Sequence, residues 1–187
     1  MKTILMTIAE IIGIIVAILI AIWAIIFFGY MIKSIFFSPK RAPYISTFNR
    51  HLDLMKQLDI KPKTNLVDLW CWNWKALRFF MTNFKLNEAD GYDINRFAIY
   101  KWKLINKRQK YSNITLNRSD FSRADLKKYD YIYVYLRDTQ LEDIEDRIWK
   151  EKKDWAIVIS NTFQFKNHNP YKTIKNKQWR DTIFLYK

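Results

Sequence analysis

A chain of 187 residues has room for one domain and a short appendage. Its single cysteine excludes an internal disulfide, which fits a reducing compartment, and its two histidines lie too far apart in sequence to suggest a metal site. The net charge of +14 is spread through segments such as KYSNITLNR and NKQWRDTIFLYK rather than gathered into one basic block. That distribution fits attraction to anionic lipid, or simply a lysine-rich composition, better than it fits a specific nucleic-acid reader.

From Ile11 to Ile32 the sequence carries no charge and is nearly all aliphatic or aromatic. As a helix rising 1.5 Å per residue it would be about 33 Å long, enough to cross a hydrocarbon core of roughly 30 Å. A buried core helix is seldom apolar on every face for so many turns, and no small-residue cleavage site precedes Phe36-Phe37. The expected organisation is a transmembrane anchor at 1–33, a linker at 34–46 and a domain at 47–187. Lys2 is the only base ahead of the span, whereas Lys33, Lys40, Arg41 and Arg50 follow it. By the excess of positive charge on the cytoplasmic side, this is a single-pass membrane protein with its C-terminal domain in the cytoplasm.

Behind a linker kept extended by Pro39 and Pro43, a helix is expected from Thr47 to Leu58, ending ahead of Lys61-Pro62. NLVDL is a short apolar strand, Lys75 to Phe84 a helix, and EADGYDI a strand ending in acid. Phe97 to Lys107 reads as helical, and NITLNRSD as a third strand ending at Asp120. YDYIYVYL, β-branched and aromatic throughout, is the clearest strand. A charged helix from Leu141 to Lys152, the strand AIVIS and a closing strand in DTIFLY complete the chain. Strands alternating with helices of this length imply βαβ units, hence an α/β, Rossmann-like domain with a mostly parallel sheet.

In such a sheet the ligand lies beyond the carboxyl ends of the strands. Three strand ends carry suggestive residues: Asp68-Leu69 leading into WCWNWK, then Asp93, then Asp120-Phe121. A carboxylate at the second end can accept both ribose hydroxyls of a nucleoside. Asp120 can accept from an adenine amino group while Phe121 packs on the ring. Taken singly, each acid is as readily a turn former or helix cap. No phosphate loop of the GxxxxGK[ST] form is present.

DLWCWNWK, GYDIN and SDF resemble, in order, the cofactor motifs of class I S-adenosylmethionine-dependent methyltransferases, in which the first strand leads into D-L-G-C-G-x-G. The closer likeness is to small membrane-anchored lysine methyltransferases that modify the c subunit of ATP synthase, through PYIST, DLKKYDYIYVYL and AIVISNTFQF. The resemblance implies S-adenosylmethionine as cofactor, with Asp68, Trp70, Cys71, Trp72, Trp74, Asp93, Asp120 and Phe121 in the cofactor-binding positions. Candidates to line the acceptor mouth are Tyr44, Tyr135, Arg137 and Asn161, with Asp138, Thr162 and Phe163 beside them. The methyl acceptor implied is a protein lysine. A small-molecule or lipid acceptor and a non-catalytic tethered binding module are the alternatives. The [DN]-P-P-[YFW] signature of nucleobase methylation is absent, with YLRDTQ in its place.

The departure from the family pattern lies in the three motif glycines, which fall on Trp70, Trp72 and Trp74. That loop needs glycine because its backbone turns sharply, adopts positive φ and approaches the cofactor with no side chain between. Composition points to a cause. Average glycine usage of about 7% would give roughly 13 glycines in this length, whereas the chain holds 3 glycines and 8 tryptophans. Some bacterial lineages read UGA as glycine where another genetic code reads tryptophan. On that reading the motif is DLGCGNGK, and Trp155, Trp179 and Trp102 are further glycine positions, while Trp23 and Trp149 stay open.

Overall fold

A computed structural model describes residues 2–36, 46–72, 74–95, 99, 100, 102, 104, 105, 111–176 and 181–187. The chain falls into two compact units, Met1–Pro43 and Tyr44–Lys187. The described residues of the first form one helix, α1 (Lys2–Phe36), longer at both ends than the uncharged run. Its stretch Glu10–Tyr30 is long and apolar enough to cross a membrane, and none of it is buried.

The second unit begins with α2 (Asn49–Met55), shorter than the expected Thr47–Leu58. β1 (Asn65–Asp68), α3 (Lys75–Phe84), β2 (Glu88–Tyr92) and β3 (Ile114–Asn117) follow, and Ile99, Tyr100, Trp102, Leu104 and Ile105 between β2 and β3 are helical. After two single-turn 3₁₀ helices, Phe121–Arg123 and Leu126–Lys128, come β4 (Tyr131–Val134), α4 (Asp138–Glu151) and β5 (Ile157–Asn161). β6 (Lys172–Lys175) and β7 (Thr182–Tyr186) close the chain. The sheet order is β3-β2-β1-β4-β5-β7-β6. β1 pairs in parallel with β2 and β4, β2 with β3, and β4 with β5, whereas β7 runs antiparallel between β5 and β6. The mostly parallel, Rossmann-like sheet is therefore present.

The central strands are buried on both faces, with Leu66, Val67, Ile132, Val134, Val158 and Ile159 all at 0% exposure. Such strands read as continuous apolar runs rather than alternations. Because strand order reverses between β1 and β4, the chain leaves the sheet in opposite directions there. This opens the carboxyl-end rim at those two strands. β6 was not foreseen: KTIK buries only Ile174, as befits an edge strand.

Candidate functional site

The turn from β1 into α3 lies at the centre of the carboxyl-end rim. Asp68, 2% exposed, ends β1 and accepts a hydrogen bond from the backbone N–H of Trp70 at 3.0 Å. Burial pushes its carboxyl up to about 7, with the nearby Asp93 charge adding and the Trp70 N–H opposing. The N–H of Cys71 donates to the Tyr92 carbonyl at 3.1 Å, which draws the loop onto the end of β2. Gly91 makes this approach possible: a Cβ there would stand 2.6 Å from the Cys71 Sγ and 2.7 Å from Leu116 Cδ2. Burial and the two carboxylates push the Cys71 thiol well up, so it is an inert core residue rather than a nucleophile.

Trp72 and Trp74 both have positive φ, 28° and 47°. For bulky side chains that region is a steric outlier costing about 1–3 kcal/mol each. Trp74 is 2% exposed and precedes α3 in the left-handed conformation. Its indole packs 4.9 Å from Trp102, with the Arg78 guanidinium over it at 4.3 Å. Its Nε1–H is buried without a hydrogen-bond partner, as is Arg78 Nε. An orphan of this kind costs about 1–3 kcal/mol. Trp70, partly buried, lies 6.0 Å from Phe121, the ring expected to face an adenine.

Asp93 lies one residue beyond β2, 4% exposed. Its Oδ2 accepts from the Trp72 N–H at 2.9 Å and its Oδ1 from the Asn95 N–H at 2.7 Å. Burial raises its pKa against those two donors. Asp120 differs from expectation in its setting. β3 ends at Asn117, and Asp120 is an exposed cap of the following 3₁₀ turn, its Oδ1 accepting from the Ser122 N–H at 2.8 Å. The third strand is short because only Ile114 in it is buried.

On the other half of the rim a polar network joins β4, β5, β7 and α2. His51, 1% exposed, contacts Asp181 Oδ1 through Nε2 at 2.8 Å, while its Nδ1 is 3.1 Å from Asn161 Nδ2. Asn161 Nδ2 also donates to the Tyr133 hydroxyl at 3.0 Å. With Nδ1 accepting from the amide, the imidazole is neutral and carries its proton on Nε2. Burial lowers its pKa, against the raising influence of Asp181. Lys75, first residue of α3, donates to the Thr47 carbonyl at 2.8 Å and so ties the β1–α3 turn to the segment entering α2. Of the residues expected at the acceptor mouth, Asn161 is in this network and half-buried Tyr135 stacks edge-on to His51 at 5.5 Å. Arg137 and Asp138 are exposed at the start of α4. Thr162, with φ 72°, donates to Asn161 Oδ1 at 3.1 Å, and Phe163 is half-buried beside it. Tyr44 and Trp179 lie outside the described residues. His51, Asp181, Tyr133 and Thr47 were not singled out as site residues from sequence. Tyr133 lies within β4 and Asp181 just ahead of β7, whereas His51 is in α2 and Thr47 precedes it, so no shared local pattern marked them.

The sheet order and the acids at β1 and β2 can be set against known proteins. The chain resembles an RNA methyltransferase from Salinibacter ruber solved in complex with S-adenosyl-L-homocysteine, with a TM-score of 0.69 over 76% of this chain and 92% of that one, at 15% identity. The two share a Rossmann-like methyltransferase fold with a mostly parallel sheet. A ribosomal protein L11 methylase from Lactobacillus delbrueckii subsp. bulgaricus matches with a TM-score of 0.57, covering 80% of this chain and 82% of that one at 12% identity. A precorrin 8W decarboxylase from Methanobacterium thermoautotrophicum matches at 0.55, covering 78% and 92% at 14% identity. No family model and no curated protein matches the chain. At such identities the likeness is one of fold, and sites are argued from residues.

Those residues divide into backbone that fits S-adenosylmethionine and side chains that do not. The positive φ at 72 and 74, the close approach at Gly91 and the buried Asp93 make a turn of the shape the cofactor needs. The indoles of Trp70, Trp72 and Trp74 stand on that turn, where the cofactor would require bare backbone. With tryptophan at these positions the turn does not fit the cofactor.

Proposed function

We propose that this chain is a membrane-anchored, S-adenosylmethionine-dependent methyltransferase of protein lysine, and that the natural protein carries glycine at 70, 72 and 74. The observation that carries the reading is the backbone of the β1–α3 turn. Two of its three tryptophans occupy the left-handed region, and one of these buries an unpartnered indole N–H. Glycine removes both costs and bares the N–H groups of the turn toward a ligand. Trp102 shows no such sign, being helical and buried, and Trp155 is 71% exposed ahead of β5 with its Nε1 3.4 Å from Asp130.

Methyl transfer needs a neutral amine aligned with the donor, so the protein's share of the work is orientation and desolvation. The half-buried rim of Tyr135, Thr162 and Phe163 around the Asn161–His51 network offers such a surface. Anchoring rests on Glu10–Tyr30, and the cytoplasmic orientation on the bases that follow it. A reporter fused after Lys187 should be protected inside the cell, and surface labelling there would reverse the orientation.

The nucleotide sequence tests the glycine reading directly: the codons at 70, 72 and 74 should be UGA. Calorimetry with S-adenosylhomocysteine should show binding by the Trp70→Gly, Trp72→Gly, Trp74→Gly protein and none by the tryptophan form. UGG codons at these positions would sink the glycine reading and with it the enzymatic reading of this chain, and no binding by the glycine form would sink the cofactor assignment. Either outcome would favour a tethered, non-catalytic module, the reading to which the packing of Trp74 between Trp102 and Arg78 lends support.

A further inference from the structure

The bases of the chain are spread along it, but the acids leave one long gap. Between Asp93 and Asp120, the 26 residues from Ile94 to Ser119 carry seven bases and no acid. Half of the net charge of +14 therefore lies in one continuous stretch of sequence.

The helical residues of that stretch, between β2 and β3, have two faces. Ile99 and Trp102, three apart, are 8% and 5% exposed. The Trp102 ring lies 4.9 Å from Trp74 and 6.2 Å from Tyr111, which fixes this side to the domain. Tyr100 and Leu104, four apart and so adjacent on another face, are 64% and 50% exposed. A single exposed apolar side chain is ordinary. Phe48, Trp155 and Tyr171 are of that kind, each a separate exposed ring with a cation over it: Arg50 at 4.5 Å, Lys153 at 5.6 Å and Lys187 at 4.8 Å. Tyr100 and Leu104 instead make an apolar pair at helical spacing, set in the stretch that lacks acids.

We infer that the helical stretch carrying Tyr100 and Leu104 is a second membrane contact, which lies in the headgroup layer of an anionic leaflet. The inference rests on the membrane-anchored reading and deepens it. An anionic leaflet offers negative charge to the bases and, just beneath it, an apolar medium to the tyrosine and leucine. A nucleic acid would use the bases and could stack on Tyr100, but it gives Leu104 no partner. Attachment through α1 keeps the domain at the bilayer surface, so a contact too weak to recruit a free protein is occupied here. Tyr100 lies seven residues beyond Asp93, so the contact holds the carboxyl-end rim near the bilayer, where a membrane-embedded acceptor would be met.

The test uses the full chain with Leu104→Cys labelled by an environment-sensitive nitrobenzoxadiazole; Cys71, 3% exposed, stays unlabelled. It is reconstituted into phosphatidylcholine vesicles with or without about 30% phosphatidylglycerol. Recovery with the vesicles after alkaline carbonate reports the anchor separately. Phosphatidylglycerol should raise the emission about twofold, and about 0.5 M salt should reverse most of the rise. Tyr100→Ser, which leaves the charge unchanged, should about halve the rise, and Lys101→Glu with Lys103→Glu should abolish it. Thermal melts report folding; should the charge-reversed protein fail to fold, the salt dependence decides. Equal emission with and without phosphatidylglycerol would overturn the contact, as would a rise that persists in salt or in the folded Tyr100→Ser or charge-reversed proteins. A larger rise with single-stranded RNA in phosphatidylcholine vesicles than with phosphatidylglycerol would also overturn it and assign the stretch to nucleic acid. Loss of the chain from the vesicles would remove the anchored reading, and this contact with it, whereas equal emission from a retained chain removes the contact alone.

Discussion

The two halves of the carboxyl-end rim solve the same problem of burying polar groups with unequal success, although the β4–β5–β7 half also holds Thr162 at φ 72° and leaves Asp181 Oδ2 without a hydrogen bond. At the β4–β5–β7 half, His51, Asn161 and Tyr133 are each at or below 1% exposure and each has a partner. At the β1–β2 half, two residues are held in the left-handed region, an indole N–H and a guanidinium N–H are orphaned, and two carboxyls have raised pKa values. Consistency across local and tertiary levels marks a sequence suited to its backbone, and a concentration of conflicts marks either a functional site or a wrong residue. Here the conflicts are most numerous on the tryptophans and on the buried acids that their turn caps.

The largest effect that sharpens this contrast compares two indoles in contact, Trp102 and Trp74, exposed to 5% and 2%. Trp102→Gly removes a buried aromatic side chain and puts glycine in a helix, costing about 4–6 kcal/mol. Trp74→Gly loses similar packing but relieves the left-handed strain and the orphaned N–H, so its net cost should be about 1 kcal/mol or less. Chemical denaturation of the single variants measures both, and equal losses would mean the turn is not strained. Because the rings touch, the two effects should not add in the double variant.

Next in size is a pH dependence of opposite sign in the two halves. The Asp68 carboxyl, pushed up to about 7 from an unfolded value of about 3.9, keeps its proton in the folded state where the unfolded chain has lost it. Stability from this group is therefore present below pH ~4 and lost as pH rises toward 7, by about 4 kcal/mol at most. Asp93 adds in the same direction. His51, lowered by burial, works the other way: its cost is felt in acid and relieved as pH rises through about 6.5. Asp68→Asn should flatten the fall between pH 4 and 7, and His51→Gln should steepen it. An unchanged profile in Asp68→Asn would mean that Asp68 titrates normally. The smallest effect belongs to Trp72, which is only partly buried. Trp72→Gly should stabilise by about 1 kcal/mol through relief of its φ, and a loss of stability in the same denaturation assay would show its indole to be packing usefully.

Much of the scaffold was legible because its strands are bulk apolar runs between helices of ordinary length. α3 falls on Lys75–Phe84 as expected, and β4 lies inside the β-branched run from Tyr129 to Leu136. β6 was not legible, since an edge strand with one buried side chain leaves no period to detect. Asp68 and Asp93 could be placed because strand ends are local features. Asp120 was misplaced by three residues because NRSD continues β3 in composition but turns in space. The His51–Asp181 pair spans 130 positions. No local pattern carries it, and it exists only once α2 and β7 meet at the rim.

The segment between β5 and β6 has no regular structure, yet one side chain fastens it. Glu145 of α4, 1% exposed, accepts hydrogen bonds from the backbone N–H groups of Lys166 and Asn167, from Asn167 Nδ2 and from His168 Nδ1. Burial alone would raise its pKa, but the donors of His168, Asn167 and Lys166 outweigh it and lower it. Trp149 stacks on the His168 ring at 3.7 Å, clasping the same turn from α4. A stretch that looks like a natural site for nicking or insertion is in this way withheld from proteases. Trypsin should spare the exposed Lys166 while cutting lysines elsewhere on the surface. Grafting a longer loop between Phe165 and Pro170 would unseat an element of the helix face rather than lengthen an idle connection.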